Sequence, residues 1–498
     1  MSNAWSVACS FAGCNAWILP AVLALPLVAS ATLALAGAHR TAPVLNAGFS
    51  LATFAATLLL AQNTVAHGPA FAFGQLFYVD PLNVFLAALT AFVGWTTAVF
   101  SKPYMRTERD RGRMSAGRTR LYHAMYQLFV FAMLLALLTN NMGVLWVSME
   151  AATLATVLLV SVYRTAASIE AAWKYFILCG VGIAQALFGT ILLYLAASRG
   201  LGGSDALLWT SLNAAKASLD PVIVSLAFVF LLIGYGTKVG LVPMHNWLPD
   251  AHAEGPTPIS AVLSGLLLNV ALYAVLRCKV LADGALQNGL PGRLLVGFGL
   301  LSVLVATFSL LRQKDVKRLF SFSSIEHMGL MSFAFGLGGP VATFAGLLHM
   351  TTHSLIKSAI FFTVGHAAQK TGTQSIDGIR GLVRVSPLVG WGMILGALAI
   401  LGMPPFGVFA SEFLILTTAI HALPWAVPLL LLALAVAFAI IFRHVQGMAF
   451  GEPTARRLDH RPALLPVFIH LAIGLMLGLY IPPWLAAWYH AAAAMIAG

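Results

Sequence analysis

Along this chain, apolar runs of about twenty residues alternate with short polar stretches. A helix needs about 20 apolar residues to cross the hydrocarbon core of a bilayer. Fourteen such segments are predicted, at 17–37, 43–62, 81–101, 121–139, 142–163, 172–196, 221–247, 258–280, 290–311, 318–337, 341–367, 387–421, 424–447 and 463–481. The runs are continuous rather than alternating, which argues against a porin-like barrel. The predicted fold class is therefore all-α, a polytopic membrane protein with about fourteen transmembrane helices. The last stretch, Pro482 to Gly498, carries Trp484, Trp488 and Tyr489 and is expected to be an interfacial tail.

Two segments are interrupted. The seventh contains Gly234, Gly236, Gly240 and Pro243, followed by HNWLPDAHAEGPTP. The twelfth contains Gly402, Pro404, Pro405 and Gly407. Proline removes a helix hydrogen bond and clashes with the preceding turn. In a bilayer the freed backbone groups must face protein or water. Broken helices in corresponding places of two halves point to a translocation site. Helices 4–8 and 9–13 are five each, and an odd-numbered repeat inserts inverted. Lys238 and Glu412 fall on the fourth helix of each unit, and Glu150 and Glu326 on the second, at spacings of 174 and 176. The expected organisation is three helices and a basic loop over 1–120, five-helix repeats over 121–280 and 281–449, and a final helix with its tail over 450–498.

Composition supports this picture and narrows the function. Charged residues make up 9% of the 498, apolar residues 60%, and mean hydropathy is +0.88. Soluble domains carry about 25% charge. A soluble enzyme, a disordered chain and a nucleic-acid binder are excluded, and the pI near 9.8 is assigned to cytoplasmic loops. Of the 28 Lys and Arg, 21 fall in or within a few residues of the loops after helices 1, 3, 5, 9, 11 and 13; five, including Arg199, Arg277 and Lys279, fall in or within a few residues of the even loops. That asymmetry predicts both termini on the non-cytoplasmic side of the cell (inner) membrane. Cys9, Cys14, Cys179 and Cys278 form no CxxC pair and read as small membrane residues, with no metal, iron–sulfur or other cofactor expected. No nucleotide-binding motif is present, and the N-terminus does not resemble a cleaved signal peptide.

Ionisable side chains in the bilayer core cost at least about 2.5–3.5 kcal/mol each on insertion scales. Glu150, Lys238, Glu326, Lys357 and Glu412 fall inside predicted spans, with His327, His349 and His353. Glu150 and Lys238 suggest an ion pair between neighbouring helices, serving either proton handling or a structural lock. His349, His353 and Lys357, at i, i+4 and i+8, line one helix face as a proton relay. A metal site there lacks a third ligand at suitable spacing. Glu412, beyond the second break, is either a terminal proton donor or a partner for freed backbone N–H groups. Glu326 and His327 lie in a polar run with Ser321, Ser323 and Ser324, readable as a hydrated relay, a pairing with Lys357, or a helix-contact cluster. His245, Asp250, His252 and Glu254 lie in a proline-bounded loop; a structural role is favoured, or proton access for His245.

At these residues the sequence resembles a known family. KVGLVPMHNWLPDAHAEGPTPISA, RQKDVKRLFSFSSIEHMG, HMTTHSLIKSAIFFTVGHAAQKTGT and GMPPFGVFASEF are similar to segments of the antiporter-like, proton-translocating membrane subunits shared by respiratory complex I, Mrp-type sodium/proton antiporters and membrane-bound hydrogenases. EGPTP, SSIEHMG and KSAIFFTVGHAAQK are most similar to the component F branch of hydrogenase-4-type complexes. The resemblance implies fourteen core helices in two inverted repeats, with helices 7 and 12 broken. It implies that Glu150 tunes Lys238, that Lys238 holds the first proton, that His349, His353 and Lys357 connect the halves, and that Glu412 stands at the exit. Two departures stand out. Asn269 replaces a lysine common in the family, and Glu326 adds an acid, so the relay is either rewired through helix 10 or impaired.

The implied function is proton translocation within a redox-driven complex, hydrogenase-4-like or complex I-like, with other membrane subunits and the bilayer as partners and no redox site in this chain. The alternatives are an Mrp-type sodium/proton antiporter subunit and a scaffold that has lost pumping.

Overall fold

The computed structural model describes residues 9–10, 17–198, 200–453 and 463–497, and these are almost entirely helical. Expectations for Cys14, Arg199, Arg456, Arg457 and Arg461 concern positions outside the described residues, and Cys9 is described by its backbone alone. The helices are α1 (Ile18–Ala36), α2 (Ala42–His67), α3 (Pro81–Asp110), α4 (Ala116–Leu138), α5 (Met142–Val160), α6 (Ala166–Ala197), α7 (Trp209–Ala215), α8 (Pro221–Val239), α9 (Trp247–Glu254), α10 (Thr257–Val262), α11 (Leu268–Leu286), α12 (Leu290–Leu310), α13 (Val316–Leu337), α14 (Gly339–Thr371), α15 (Leu382–Val385), α16 (Pro387–Ile400), α17 (Gly407–Ala422), α18 (Ala426–Phe450), α19 (Leu465–Leu479) and α20 (Pro483–Ala497).

Each predicted apolar segment coincides with one helix or with an interrupted pair. Among the described residues, ten helices are long and apolar enough on their own to cross a membrane, or eleven if the bent pair α19–α20 is one span. The rest have identifiable reasons to fall short. α13 and α14 are made polar by the side chains discussed below, and the twelfth segment divides into helices of 14 and 16 residues.

Local chemistry sets the helix starts. Asp80 accepts from the N–H groups of Leu82 and Asn83, and Asn83 returns a bond to the Asp80 N–H, a capping box ahead of α3. Asn141, Asp220 and Asp315 cap α5, α8 and α13 through the same side-chain geometry. Helices then approach closely through glycine. A β-carbon on Gly299 of α12 would lie 2.6 Å from the Gly329 carbonyl oxygen of α13. Gly234 of α8 meets Gly182 of α6 in the same way. Small residues permit this contact, and dispersion rather than water drives it in lipid.

Both predicted breaks are present. α8 ends at Gly240, with φ +81°, and α9 resumes at Trp247; α16 gives way to Gly402, with φ +65°, and α17 begins at Gly407. The Val242–Pro243 and Pro404–Pro405 bonds are cis. The Gly240/Pro243 and Gly402/Pro405 patterns match at a constant spacing of 162 residues. In that register Lys238 falls just before its break and Glu412 well after the other. The 174-residue match between them therefore pairs positions on opposite sides of the two breaks.

Three further features depart from the sequence reading. A small sheet joins β1 (Cys9–Ser10) in parallel to β2 (Ala70–Ala72), which pairs antiparallel with β3 (Phe77–Val79); such strands are too short to show a period. α20 turns 83° from α19 and packs inward rather than only lining the interface. Its Tyr489 is buried at 2.8 Å from the Thr351 hydroxyl, and Trp488 donates to the Pro81 carbonyl. The eighth predicted span carries a π-helical turn at Leu263–Leu267 between α10 and α11. Its most apolar stretch is wholly buried, which makes it a central helix of the bundle.

A buried polar line through the bundle

Lys238 sits in the last turn of α8, fully buried, where the helix dipole favours a cation. Its Nζ donates to Thr153 Oγ1 on α5 and lies 5.6 Å from the centre of the Tyr175 ring. Thr153 is one turn beyond Glu150. The expected Glu150–Lys238 ion pair is not closed among the described residues: the threonine hydroxyl takes the ammonium, and Glu150 Oε2 has no hydrogen-bond partner. Glu150 itself is half-buried, on a helix whose Val147 and Leu154 face outward.

The second cluster joins α13, α14 and α17. His327 Nδ1 lies 2.9 Å from His349 Nε2, and His349 Nδ1 lies 2.8 Å from Ser411 Oγ. The Ser411 hydroxyl donates to the Val408 carbonyl at 2.8 Å. Its single proton is thereby used, so it accepts from His349 Nδ1–H. Neutral His349 then presents a bare Nε2 lone pair toward His327. Glu412 Oε1 is 3.9 Å from His327 Nδ1. The Glu412 carboxylate rests against the α-carbon of Gly402, where a β-carbon would collide with it. Glycine at the second break therefore serves both the left-handed backbone and the acid beside it.

The stripe predicted on α14 is buried in full, but its hydrogen bonds run across helices rather than along it. Both ring nitrogens of His353 lack a partner, and its ring centre is 5.7 Å from that of His327. Lys357 Nζ donates to the Phe320 carbonyl at 3.0 Å, while Glu326 Oε1 accepts from Thr307 at 3.4 Å. The suggested Glu326–Lys357 pair is thus not in direct contact. Between the two clusters, Asn269 Nδ2 donates to Ser354 Oγ at 2.6 Å and to the Met350 carbonyl at 3.2 Å, leaving Oδ1 unpartnered. Ser264 and Ser324 lie 2.7 Å apart beside it.

The loop after the first break is anchored on the Arg318 side. Asp250 pairs with Arg318 and Lys174, and Lys317 Nζ donates to the Ala253 and Gly255 carbonyls at 2.7 and 2.6 Å. Burial raises the Asp315 carboxyl pKa and, opposed by Lys317, that of Glu254. His245 is buried with Nδ1 unpartnered, facing Phe322, and His252 is fully buried with neither nitrogen partnered. These ion pairs support the structural reading of Asp250.

Sequence reasoning missed several participants. Thr153 and Ser411 carry no charge, and their only signals are their places beside Glu150 and Glu412. Arg277 and Lys317, expected among the loop cations, are both buried in helices. Arg277 pairs with Asp80, stacks on Trp209 at 4.3 Å and bonds Tyr273. The buried charges therefore number more than the five read from the spans.

Comparison with known proteins adds a lineage to this geometry. The profile described as "NADH:quinone oxidoreductase/Mrp antiporter, TM" matches residues 139–440. The hydrogenase-4 component F homolog of Methylacidiphilum infernorum is 48% identical over 470 residues, covering 94% of this chain and 98% of that one. A subunit of the membrane-bound sulfane sulfur reductase, an archaeal respiratory membrane complex, superposes with a TM-score of 0.87 at 24% identity, over 96% of this chain and 98% of that one. A chain of the Mrp complex from a Dietzia species superposes with a TM-score of 0.84 at 19% identity, over 97% of each.

Proposed function

The chain belongs to the NADH:quinone oxidoreductase/Mrp antiporter membrane family, and from that premise we propose that it moves protons across the bilayer as one subunit of a redox-driven, hydrogenase-4-like complex. One observation carries this reading. Titratable groups from three helices meet in a buried, hydrogen-bonded line, His327–His349–Ser411, with Glu412 beside it. Burying such groups is costly, and a lock would use closed ion pairs, which these clusters lack. A proton accepted on His349 Nε2 would release the Nδ1 proton to the Ser411 hydroxyl, while Glu412, 3.9 Å from His327 Nδ1, would exchange protons with the His327 end of the line. Lys238 would hold a proton on the other side of Asn269, biased by the half-buried Glu150.

The partner reading follows from the same surface. Glu150 is half-buried near the edge of α5 where Val147 and Leu154 face outward, and a neighbouring membrane subunit packed on that edge would bias its charge. We assign 121–280 and 281–449 to two inverted repeats; the matched Gly–Pro breaks support this. The basic loops favour an inner-membrane orientation with both termini on the non-cytoplasmic side.

The test is redox-driven proton uptake in inverted membrane vesicles. Lys238→Ala and His349→Gln are each expected to abolish uptake while the complex still assembles and turns over electrons. Unchanged uptake in both variants would overturn the assignment. A sodium requirement for uptake would favour the Mrp-type reading instead.

A further inference from the structure

The sequence offers no third metal ligand at helical spacing near His349, but the fold supplies one. We propose that His327, His349 and Glu412 form a binding site for a transition-metal dication of the Zn²⁺ class. One ligand atom from each of the three lies within 4.8 Å of the others. The His327 Nδ1 to His349 Nε2 separation is 2.9 Å, and His327 Nδ1 to Glu412 Oε1 is 3.9 Å. Tetrahedral zinc with Zn–N bonds of about 2.0–2.1 Å places its ligands about 3.3 Å apart. Every separation is therefore within about 1.5 Å of that spacing, a side-chain adjustment rather than a helix movement.

The chemistry of the donor set agrees. Two histidines and a glutamate with an open position form a His₂Glu site that leaves room for water or a fourth ligand. His353, buried with both ring nitrogens unpartnered and its ring centre 5.7 Å from that of His327, lies just outside this set. The outer contacts are also in place. A metal-bound histidine donates its other ring N–H to a fixed acceptor, and His349 does so to Ser411, which the Val408 carbonyl holds in turn. The bare Nε2 of His349 is the atom a metal would take. A dication would also offset the Glu412 carboxylate inside the bilayer, and Glu412 keeps about a tenth of its side-chain surface open beside the second break. Occupancy would release the His327 Nδ1 proton that now bonds His349 Nε2, replace that hydrogen bond, and so interrupt the line of groups on which the proposed function rests.

The experiment reads the metal and not the pump. The chain in its intact membrane complex is equilibrated with Zn²⁺, freed of excess ion, and its zinc content is measured by mass spectrometry. Wild type is expected to retain one zinc per chain more than His349→Gln or Glu412→Gln. Ser411→Ala, which removes only the outer contact, is expected to weaken binding about 10–100-fold. Co²⁺ in place of zinc should give the visible absorption of a tetrahedral site in wild type and not in His349→Gln or Glu412→Gln. Equal zinc in wild type and in both ligand variants would assign any retained metal to surface histidines and overturn the proposal. If the excess zinc is seen while Lys238→Ala and His349→Gln both leave uptake intact, the metal site stands and the proton reading falls.

Discussion

A buried ammonium needs acceptors, and at Lys238 the side-chain oxygen that accepts is a threonine, with the Cys179 sulfur also in reach, rather than the expected carboxylate. A hydrogen bond to a charged group contributes about 1.5–3 kcal/mol. Thr153→Val keeps the shape and removes the acceptor, so proton uptake is expected to drop by roughly tenfold, the change that about 1.4 kcal/mol produces. Thr153→Ser should restore it. Equal rates for all three proteins in vesicles, at matched expression, would remove Thr153 from the path. The pattern of charges in an apolar background made Glu150 and Lys238 legible, because the membrane makes charges rare. It could not show which hydroxyl stands between them, since serine and threonine are common in spans and bond their own helix at little cost.

At the level of helices, packing depends on where glycine falls. Gly299 and Gly297 lie two apart on α12. A β-carbon on Gly299 meets α13 backbone at 2.6 Å, whereas at Gly297 it meets nothing within 4 Å. Gly299→Ala is expected to destabilise the α12–α13 contact by about 1–3 kcal/mol or more. Gly297→Ala should leave stability unchanged or slightly raised, as alanine is the better helix former. Thermal melts in detergent separate the two, and equal melting temperatures would contradict the packing argument. The breaks were visible from sequence because glycine and proline act locally. Their register was less so. Matching charged residues joined Lys238 with Glu412, while the backbone matches Gly240 with Gly402.

Across the whole molecule, charge serves anchoring as well as the proposed transport. Arg277 and Asp80 form a buried pair linking α11 to the start of α3, with Trp209 and Tyr273 around it. Removing one member of such a pair costs about 3–5 kcal/mol, because the other is left buried and unpaired. Arg277→Met is therefore expected to destabilise the protein more than the double change Arg277→Met with Asp80→Asn. A double variant less stable than the single one would show that the pair itself, and not the stranded carboxylate, carries the effect. Exposed pairs such as Lys174–Glu170 are screened by solvent and should tolerate substitution of Glu170.

The sequence alone determined the all-helical membrane class, the places where helices run and break, and the short list of charges inside them. Those properties follow from chain-local rules: transfer of apolar residues into lipid, the backbone limits of proline, and the cost of burying charge. Only tertiary structure decided which of those charges meet. His327, His349, Ser411 and Glu412 come from three helices, and their ring and carboxylate contacts depend on helix rotation and depth, which no single helix encodes. For the same reason the α14 stripe looked like a wire along one helix and is instead crossed by bonds to its neighbours.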